Sequence, residues 1–368
     1  MAFESSKRHD AVIVGGGVIG LACAWRAAQR GLDVVVLERD RPGSGASNVA
    51  AGMLAPVGEA SFGEERLLGL ALESHALWPR FAAELATASG SEVGYLDLGA
   101  LHVALDRDEA AELRRRFELM ASLGLEASWL RPRASRELEP GLTSSCAAGL
   151  HAPHESAVDP RALVDALAGA IEAAGGRIEI GEAAAALTDG DRITGVRTAD
   201  GAELLGEAVV LAAGSWSAAA WLPAQARPPV RPVKGQILTL AGPASEPLCA
   251  RIVVSERVYI VPRADGRLIV GATVEEQGFD TRITAGGVHE LLREAYRLLP
   301  EIGELELVEA IAGLRPATPD NLPLIGAGAL DGLLLATGHF RNGILLAPLT
   351  AERIASLLAG DRAEVAAR

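Results

Sequence analysis

Apolar positions along the chain fall into three patterns, and each predicts a different kind of element. Continuous apolar runs at 11–14, 34–37, 209–213 and 332–338 read as buried strands of a parallel sheet. Apolar residues at helical spacing among charges predict amphipathic helices over 64–88 and 107–123. Further helices are read at 18–29, 286–299 and from about 344 to 358. Residues 95–105 alternate as one strand does. Strands at 177–180, 184–188, 193–198 and 203–206 form a meander that leads back to the run at 209. More strands are predicted at 236–240, 251–254, 258–262 and 268–272. Punctuation supports these bounds. Gly31 closes the first helix, and Asp159-Pro160 supplies an N-cap and first-turn proline for a helix ending at Gly175-Gly176. Parallel-sheet strands therefore lie far apart in sequence, with β-rich material between them, which is an α/β fold with an insertion.

Within that pattern the first forty residues carry specific chemistry. A strand enters Gly15-Gly-Gly17-Val18-Ile19-Gly20, a helix leaves it, and a second strand delivers Glu38, 18 residues beyond Gly20. Gly15 permits the tight turn, Gly17 lets backbone approach a pyrophosphate, and Gly20 lets the helix pack closely on the strand. The helix N-terminus offers N–H groups and a positive dipole end to phosphates. Glu38 is placed to accept hydrogen bonds from a ribose, which argues against a 2′-phosphorylated cofactor. The plainer alternative is a glycine-rich turn in an ordinary α/β protein. A loop of turn formers follows at 41–48, then small residues at 50–54 that permit another body to come close.

Composition narrows the classes. With 368 residues, 49% of them hydrophobic, the chain can bury an ample core in one large or two interleaved domains. The formal charge is −14, from 34 basic and 48 acidic residues, which disfavours nucleic acid and anionic membranes as partners. Cys23, Cys146 and Cys249 show no ligand spacing. They point to a reducing cytoplasm and away from a disulfide framework or zinc site, so no metal is expected. Residues 1–9 are short and polar, so no secretory leader is expected, and no apolar run is long enough to span a membrane.

Several segments together carry a resemblance. They are the N-terminal fingerprint, Ser47 to Met53, Pro232-Val-Lys234-Gly-Gln236, and Gly338-His-Phe-Arg341-Asn-Gly343. The chain resembles the D-amino-acid oxidase superfamily of FAD enzymes over nearly its whole length. Ala50 to Ala55, Val258 to Arg263, Gly271-Ala-Thr273, Ala312 to Asp320 and Gly338 to Pro348 make it most similar to the glycine oxidases within that superfamily. The resemblance implies a Rossmann-like FAD-binding domain from discontinuous segments (1–85, 146–225 and 306–368). An inserted β-rich substrate domain takes 86–145 and 226–305. It implies oxidation of glycine, and of sarcosine or small D-amino acids, by hydride transfer to FAD. Reoxidation by O2 then gives glyoxylate, ammonia and hydrogen peroxide, as a step of thiamine thiazole synthesis. A homo-oligomer, a tetramer, is implied as well.

The chemistry asks for orientation above all. The Cα–H must face the flavin with the amine neutral, and no acid–base side chain is strictly required. A fixed cation must hold the substrate carboxylate, and the planar fork of arginine suits it. The resemblance assigns this to Arg315, adds the Tyr259 hydroxyl to the same group, and places Arg341 beside the substrate at the flavin. From the residues alone, Arg315 before a proline also reads as a surface ion pair, and Tyr259 as packing. Val274 stands where the glycine oxidase pattern often has methionine, which alters the expected pocket. The implied cofactor contacts are Gly15, Gly17, Val18, Ile19, Gly20, Glu38, Arg39, Ala46, Ser47, Ala51, Gly52 and Met53. They continue with Ala185 (adenine, through its backbone), Gly214, Trp216, His339, Phe340, Arg341, Asn342, Gly343, Ile344 and Leu345. Sarcosine oxidases of the superfamily attach flavin to a cysteine near the position of Gly313, and no cysteine follows Cys249, so non-covalent FAD is expected. His339 reads as a flavin contact and not a base; the role of Lys234 stays open. A quinone-linked D-amino-acid dehydrogenase, a sarcosine-oxidase-like enzyme and a non-catalytic flavin-binding partner remain as alternatives.

Overall fold

A computed structural model describes residues 7–360. Six of the nine residues behind the no-leader expectation, 1–6, lie outside the described residues, as do 361–368. The apolar run before the glycines forms β1 (Arg8–Val14), the helix after them is α1 (Val18–Gln29), and the next run is β2 (Val34–Glu38). β1 lies parallel to β2 on one side and to the strand Glu203–Leu211 on the other. Arg177–Ile180 extends the parallel set beyond β2, and Leu333–Thr337 extends it beyond Glu203–Leu211. Distant runs thus meet in one sheet.

One face of this sheet is covered by α1, Glu65–Ser89, Pro160–Ala173 and Ala347–Leu358, packed around Trp25, Trp78 and Phe81. Asp159 caps the third of these helices by accepting from the N–H groups of Arg161 and Ala162. On the other face, Trp221, Leu222 and Leu330 close a second apolar layer over Val12, Val14 and Leu37. Cys23 packs in the first of these layers.

A second sheet runs in the order Glu306–Ala317, Arg231–Ala241, Arg267–Gly271, Tyr259–Pro262, Ile252–Val254, Ala100–Ala104, Ala148–Ala152, Ser128–Leu130. The helix Ala285–Leu298 covers one of its faces. A small sheet of Met53–Leu54, Ser156–Ala157 and Leu96–Asp97 links the two bodies. The long strands Glu306–Ala317 and Arg231–Ala241 pair antiparallel along their full length, which fixes Arg315 opposite Val233.

Local expectations differ from the structure in four places, the first being the meander: Arg177–Ile180 leaves it to pair parallel with β2 at the sheet's far edge, and only Ala183–Asp189, Arg192–Thr198 and Glu203–Leu211 run antiparallel in succession. The strand expected at 95–105 breaks into Leu96–Asp97 and Ala100–Ala104, because Gly99 turns the chain at φ +67° and gives its N–H to the Glu155 carbonyl at 2.6 Å. The strands expected at 203–206 and 209–213 are one, since Gly206 pairs with His9 and the ladder runs on unbroken. The last helix starts at Ala347 and not near 344. Residues 343–346 form turns instead, with the Leu346 N–H bonded to the Asn342 carbonyl at 2.8 Å.

Candidate active site

A cleft of about 840 Å³ opens between the carboxyl ends of the parallel strands and the second sheet. Gly15, at φ +112°, turns the chain at its edge, and a Cβ there would overlap the Ala212 carbonyl. A Cβ on Gly20 would overlap the Gly15 carbonyl oxygen, so the close approach of α1 to the turn requires that glycine. Gly17 differs: a Cβ there meets only the Ser47 hydroxyl, at 3.4 Å, and its open side faces the cleft. Ser47 accepts the Val18 N–H at 3.0 Å, so a residue 29 positions away caps a helix whose own N-cap is glycine. The Glu38 carboxylate at the end of β2 accepts from Gly16 N–H at 2.6 Å and Asp40 N–H at 3.0 Å.

The fit for an adenine dinucleotide is therefore built into the backbone: a glycine-lined helix N-terminus, a serine hydroxyl beside it, and an acid at the neighbouring strand end. Gly15, Gly17, Val18, Ile19, Glu38, Arg39, Ala46, Ser47, Ala51, Gly52 and Met53 all line the cleft. So do Gly214, Trp216 and residues 339–345. Gly20 does not line it and acts in packing. Ala185 does not line it either; Gly181, Glu182 and Ala183 occupy that edge, and the strand is bulged between Ala183 and Ala185. Trp216 is stacked under the Arg39 guanidinium at 4.5 Å and beside Phe279. The three cysteines are buried, and none lines the cleft.

At the other end of the cleft stand Arg315 and Tyr259. Arg315 donates to the Thr273 carbonyl at 3.1 Å, and its guanidinium lies where a Cβ on Gly235 would be. The Tyr259 phenol likewise covers Gly271. Two glycines thus make room for the two side chains. Burial pushes the Tyr259 hydroxyl up from its ordinary range against the pull of the Arg315 charge, so it is neutral and able to donate. Val274 sits on the rim, 70% exposed.

Arg341 follows Phe340, which holds an unusual φ of +48°. Its guanidinium is exposed at the mouth, 3.5 Å from Glu64 Oε2 and 3.9 Å from Glu59 Oε2. His339 is buried with Nε2 2.9 Å from the Thr350 hydroxyl, and burial pushes its pKa down to about 3. A neutral imidazole held this way is no proton acceptor near neutral pH. Lys234 is also buried, paired with Glu275 at 3.2 Å, and does not line the cleft.

Among the cleft residues that went unread in the sequence are Glu59, His102 and Arg116. Arg116 carried a signal, since it falls between Leu113 and Met120 on the buried stripe of its helix, unlike Arg114 and Arg115. Glu59 sits in a loop and His102 mid-strand, with no local pattern to mark them. Among the described residues no group of His, Cys, Asp and Glu could hold a metal ion.

The family model described as FAD dependent oxidoreductase matches residues 10–357. The chain is 38% identical to a glycine oxidase of Geobacillus kaustophilus (strain HTA426), over 98% of this chain and 95% of that protein. It is 38% identical to a bifunctional protein ThiO/ThiG of Trichormus variabilis, covering 97% of this chain but 53% of that longer protein. The crystal structure of glycine oxidase from Geobacillus kaustophilus superposes with a TM-score of 0.90, covering 98% of this chain and 96% of that one, at 37% identity.

Proposed function

This chain belongs to the family of FAD-dependent oxidoreductases, as an FAD-dependent amino-acid oxidase, and we propose that its substrate is glycine, with sarcosine and small D-amino acids accepted less well. Electrons pass on to O2, and the products are glyoxylate by way of the imine, ammonia and hydrogen peroxide. The naming of its relatives supports a place in thiamine thiazole synthesis. The observation that carries the proposal is the pairing of Arg315 with Tyr259 at one end of a cleft whose other end is the glycine-rich turn.

On this reading Arg315 receives the substrate carboxylate with its fork, and the Tyr259 hydroxyl donates to the same group. The Thr273 carbonyl and the face of Gly235 hold the guanidinium in one orientation, so the carboxylate is received in one pose. Arg341 and Val274 bound the site from its rim. The turn at Gly15 and Gly17, with Val18 and Ser47, would hold the pyrophosphate, Glu38 the ribose, and Gly52, Met53 and residues 339–345 the flavin. When bound, the flavin supplies the hydride acceptor. Non-covalent attachment is supported by the three cysteines, which sit away from the cleft and so offer no cysteinyl link.

The same proposal includes two interleaved domains: a cofactor domain from about 1–85, 146–225 and 306–368, and a substrate domain from 86–145 and 226–305. Ala148–Ala152 and Glu306–Ala317 then cross into the substrate domain's sheet. A homo-oligomeric cytoplasmic enzyme completes it. Among the described residues no helix is long and apolar enough to cross a membrane.

An oxygen electrode with a panel of glycine, sarcosine and small D-amino acids tests the proposal. Oxygen uptake led by glycine, with equimolar peroxide, is expected. Reduction of a quinone analogue without oxygen uptake would replace the oxidase by a dehydrogenase. An FAD-loaded protein whose flavin no amino acid bleaches would overturn it.

A further inference from the structure

Arg315 and Tyr259 account for the carboxylate of an amino acid and leave its ammonium without a partner. One acid in the cleft faces both residues. Glu59 lies in the loop after Met53–Leu54 and lines the same cavity. Its charge acts on the Tyr259 hydroxyl, and the Arg315 charge acts on Glu59 in turn. The Glu59 side chain is half-buried, 34% exposed, but its Oε2 is sealed from solvent and has no hydrogen-bond partner, and Arg341 Nε stands too far from that atom to donate, at 3.9 Å. A buried carboxylate oxygen left without a donor is costly, so the site has capacity for an N–H group brought by a ligand.

The loop that carries it is held firmly. The Glu59 N–H donates to the Ala55 carbonyl at 3.1 Å. Val57 and Gly58 give their N–H groups to the buried Glu155 carboxyl at 2.9 and 2.8 Å, and Arg116 donates to the Gly58 carbonyl. The backbone that carries this carboxylate is therefore held in place before a ligand arrives.

We infer that Glu59 binds the ammonium of the amino-acid substrate and takes its proton before the Cα–H departs. This rests on the function proposed above and deepens it. One N–H bond of the ammonium breaks, and its proton passes to the Glu59 carboxylate. The freed nitrogen lone pair would form the C=N bond as the Cα–H departs with its electron pair, for which FAD, when bound, would supply the acceptor. The proton then passes from Glu59 to solvent. Arginine for the carboxylate and glutamate for the ammonium make a complementary pair for a zwitterion. A 2-hydroxy acid satisfies only the first.

The charges around Glu59 fit this task. Burial, the largest effect, raises its pKa, aided by Glu64, while Arg341, Arg116 and Arg315 pull it down. Glu155 and the Tyr259 hydroxyl also feel its charge. The net rise brings the carboxyl closer to the amine it must deprotonate than an exposed glutamate would be.

The test compares FAD-loaded wild type with Glu59→Gln and Glu59→Asp. Glycolate affinity is read from the flavin spectrum, and glycine kinetics are followed from about pH 6 to about pH 9. Glu59→Gln is expected to bind glycolate at least as tightly as wild type while its glycine KM rises about tenfold or more. Its kcat/KM should climb about one decade per pH unit, because only free amine reacts, where wild type is nearly flat. Glu59→Asp should restore the flat profile with an intermediate KM. Unchanged glycine KM and the wild-type pH slope in Glu59→Gln would overturn the inference. If Glu59→Gln does not hold FAD, Glu59→Asp decides alone: equal weakening of glycine and glycolate overturns it, and selective loss of glycine supports it. Glycine that fails to reduce the wild-type flavin would instead overturn the function proposed above.

Discussion

Glu155 gives the account a thermodynamic test far from any assay of turnover. It is 1% exposed, accepts the N–H groups of Val57 and Gly58 on Oε1, and has no partner for Oε2. Burial raises its pKa from 4.5 to about 8, so the folded protein holds it protonated near neutral pH. Its stabilising contribution is fully present below 4.5 and is lost as pH rises through about 8. The whole gap is worth about 5 kcal/mol, and about 4 kcal/mol of it falls between about pH 5 and about pH 9. Glu155→Gln keeps a carbonyl oxygen for the two N–H groups and removes the ionisation. Guanidinium unfolding of both proteins at saturating FAD, at each pH, isolates this site, because other titrating groups cancel in the difference. The variant should gain about 4 kcal/mol relative to wild type on going from about pH 5 to about pH 9. A difference that does not change with pH would refute the buried, protonated carboxyl and the pinned loop that depends on it.

Other consequences follow from the cleft. Gly17→Val should fold but carry no flavin, measured as the ratio of flavin to protein absorbance, because its side chain enters only the cleft; Gly20→Val should fail to fold, since its Cβ meets the Gly15 carbonyl. Acid precipitation should leave all FAD in the supernatant, and flavin pelleting with the polypeptide would show a covalent bond. Tyr259→Phe should keep FAD and lose about tenfold in glycine kcat/KM in steady-state assays, the scale of one hydrogen bond to a charged group.

Sequence and structure agree best where a pattern is local. The run into Gly15, the helix from Val18 to Gln29 and the strand ending at Glu38 each carry their own signal in adjacent residues. Two glycines show where local pattern runs out. Gly99 breaks a strand because a carbonyl waits for its N–H, while Gly206 does not break one because β1 pairs through it. Ala148–Ala152, without a β-branched residue, is a strand only because Ala100–Ala104 and Ser128–Leu130 flank it. At the site, Arg315 read as a carboxylate holder only through family resemblance; alone it reads as an ion pair. What distinguishes it, the bare face of Gly235 and the Thr273 carbonyl, lies on the neighbouring strand and in the loop after Arg267–Gly271. Glu59, His102 and Arg116 enter the cleft from a loop, a strand and a helix, and no sequence window contains them together.

The central claim is that Arg315 holds the carboxylate of an amino acid beside the flavin. Anaerobic mixing of glycine with FAD-loaded wild type and Arg315→Ala, followed by loss of flavin absorbance, tests it directly. Wild-type flavin should bleach, and the variant, with full FAD content, should bleach slower by a factor equivalent to about 3–5 kcal/mol in the second-order rate constant. Glycolate should bind the variant correspondingly weakly, and Arg315→Lys should recover only part, since an ammonium lacks the fork. Bleaching by glycine at the wild-type rate in Arg315→Ala, with glycolate affinity unchanged, would contradict the claim and move the carboxylate site to Arg341.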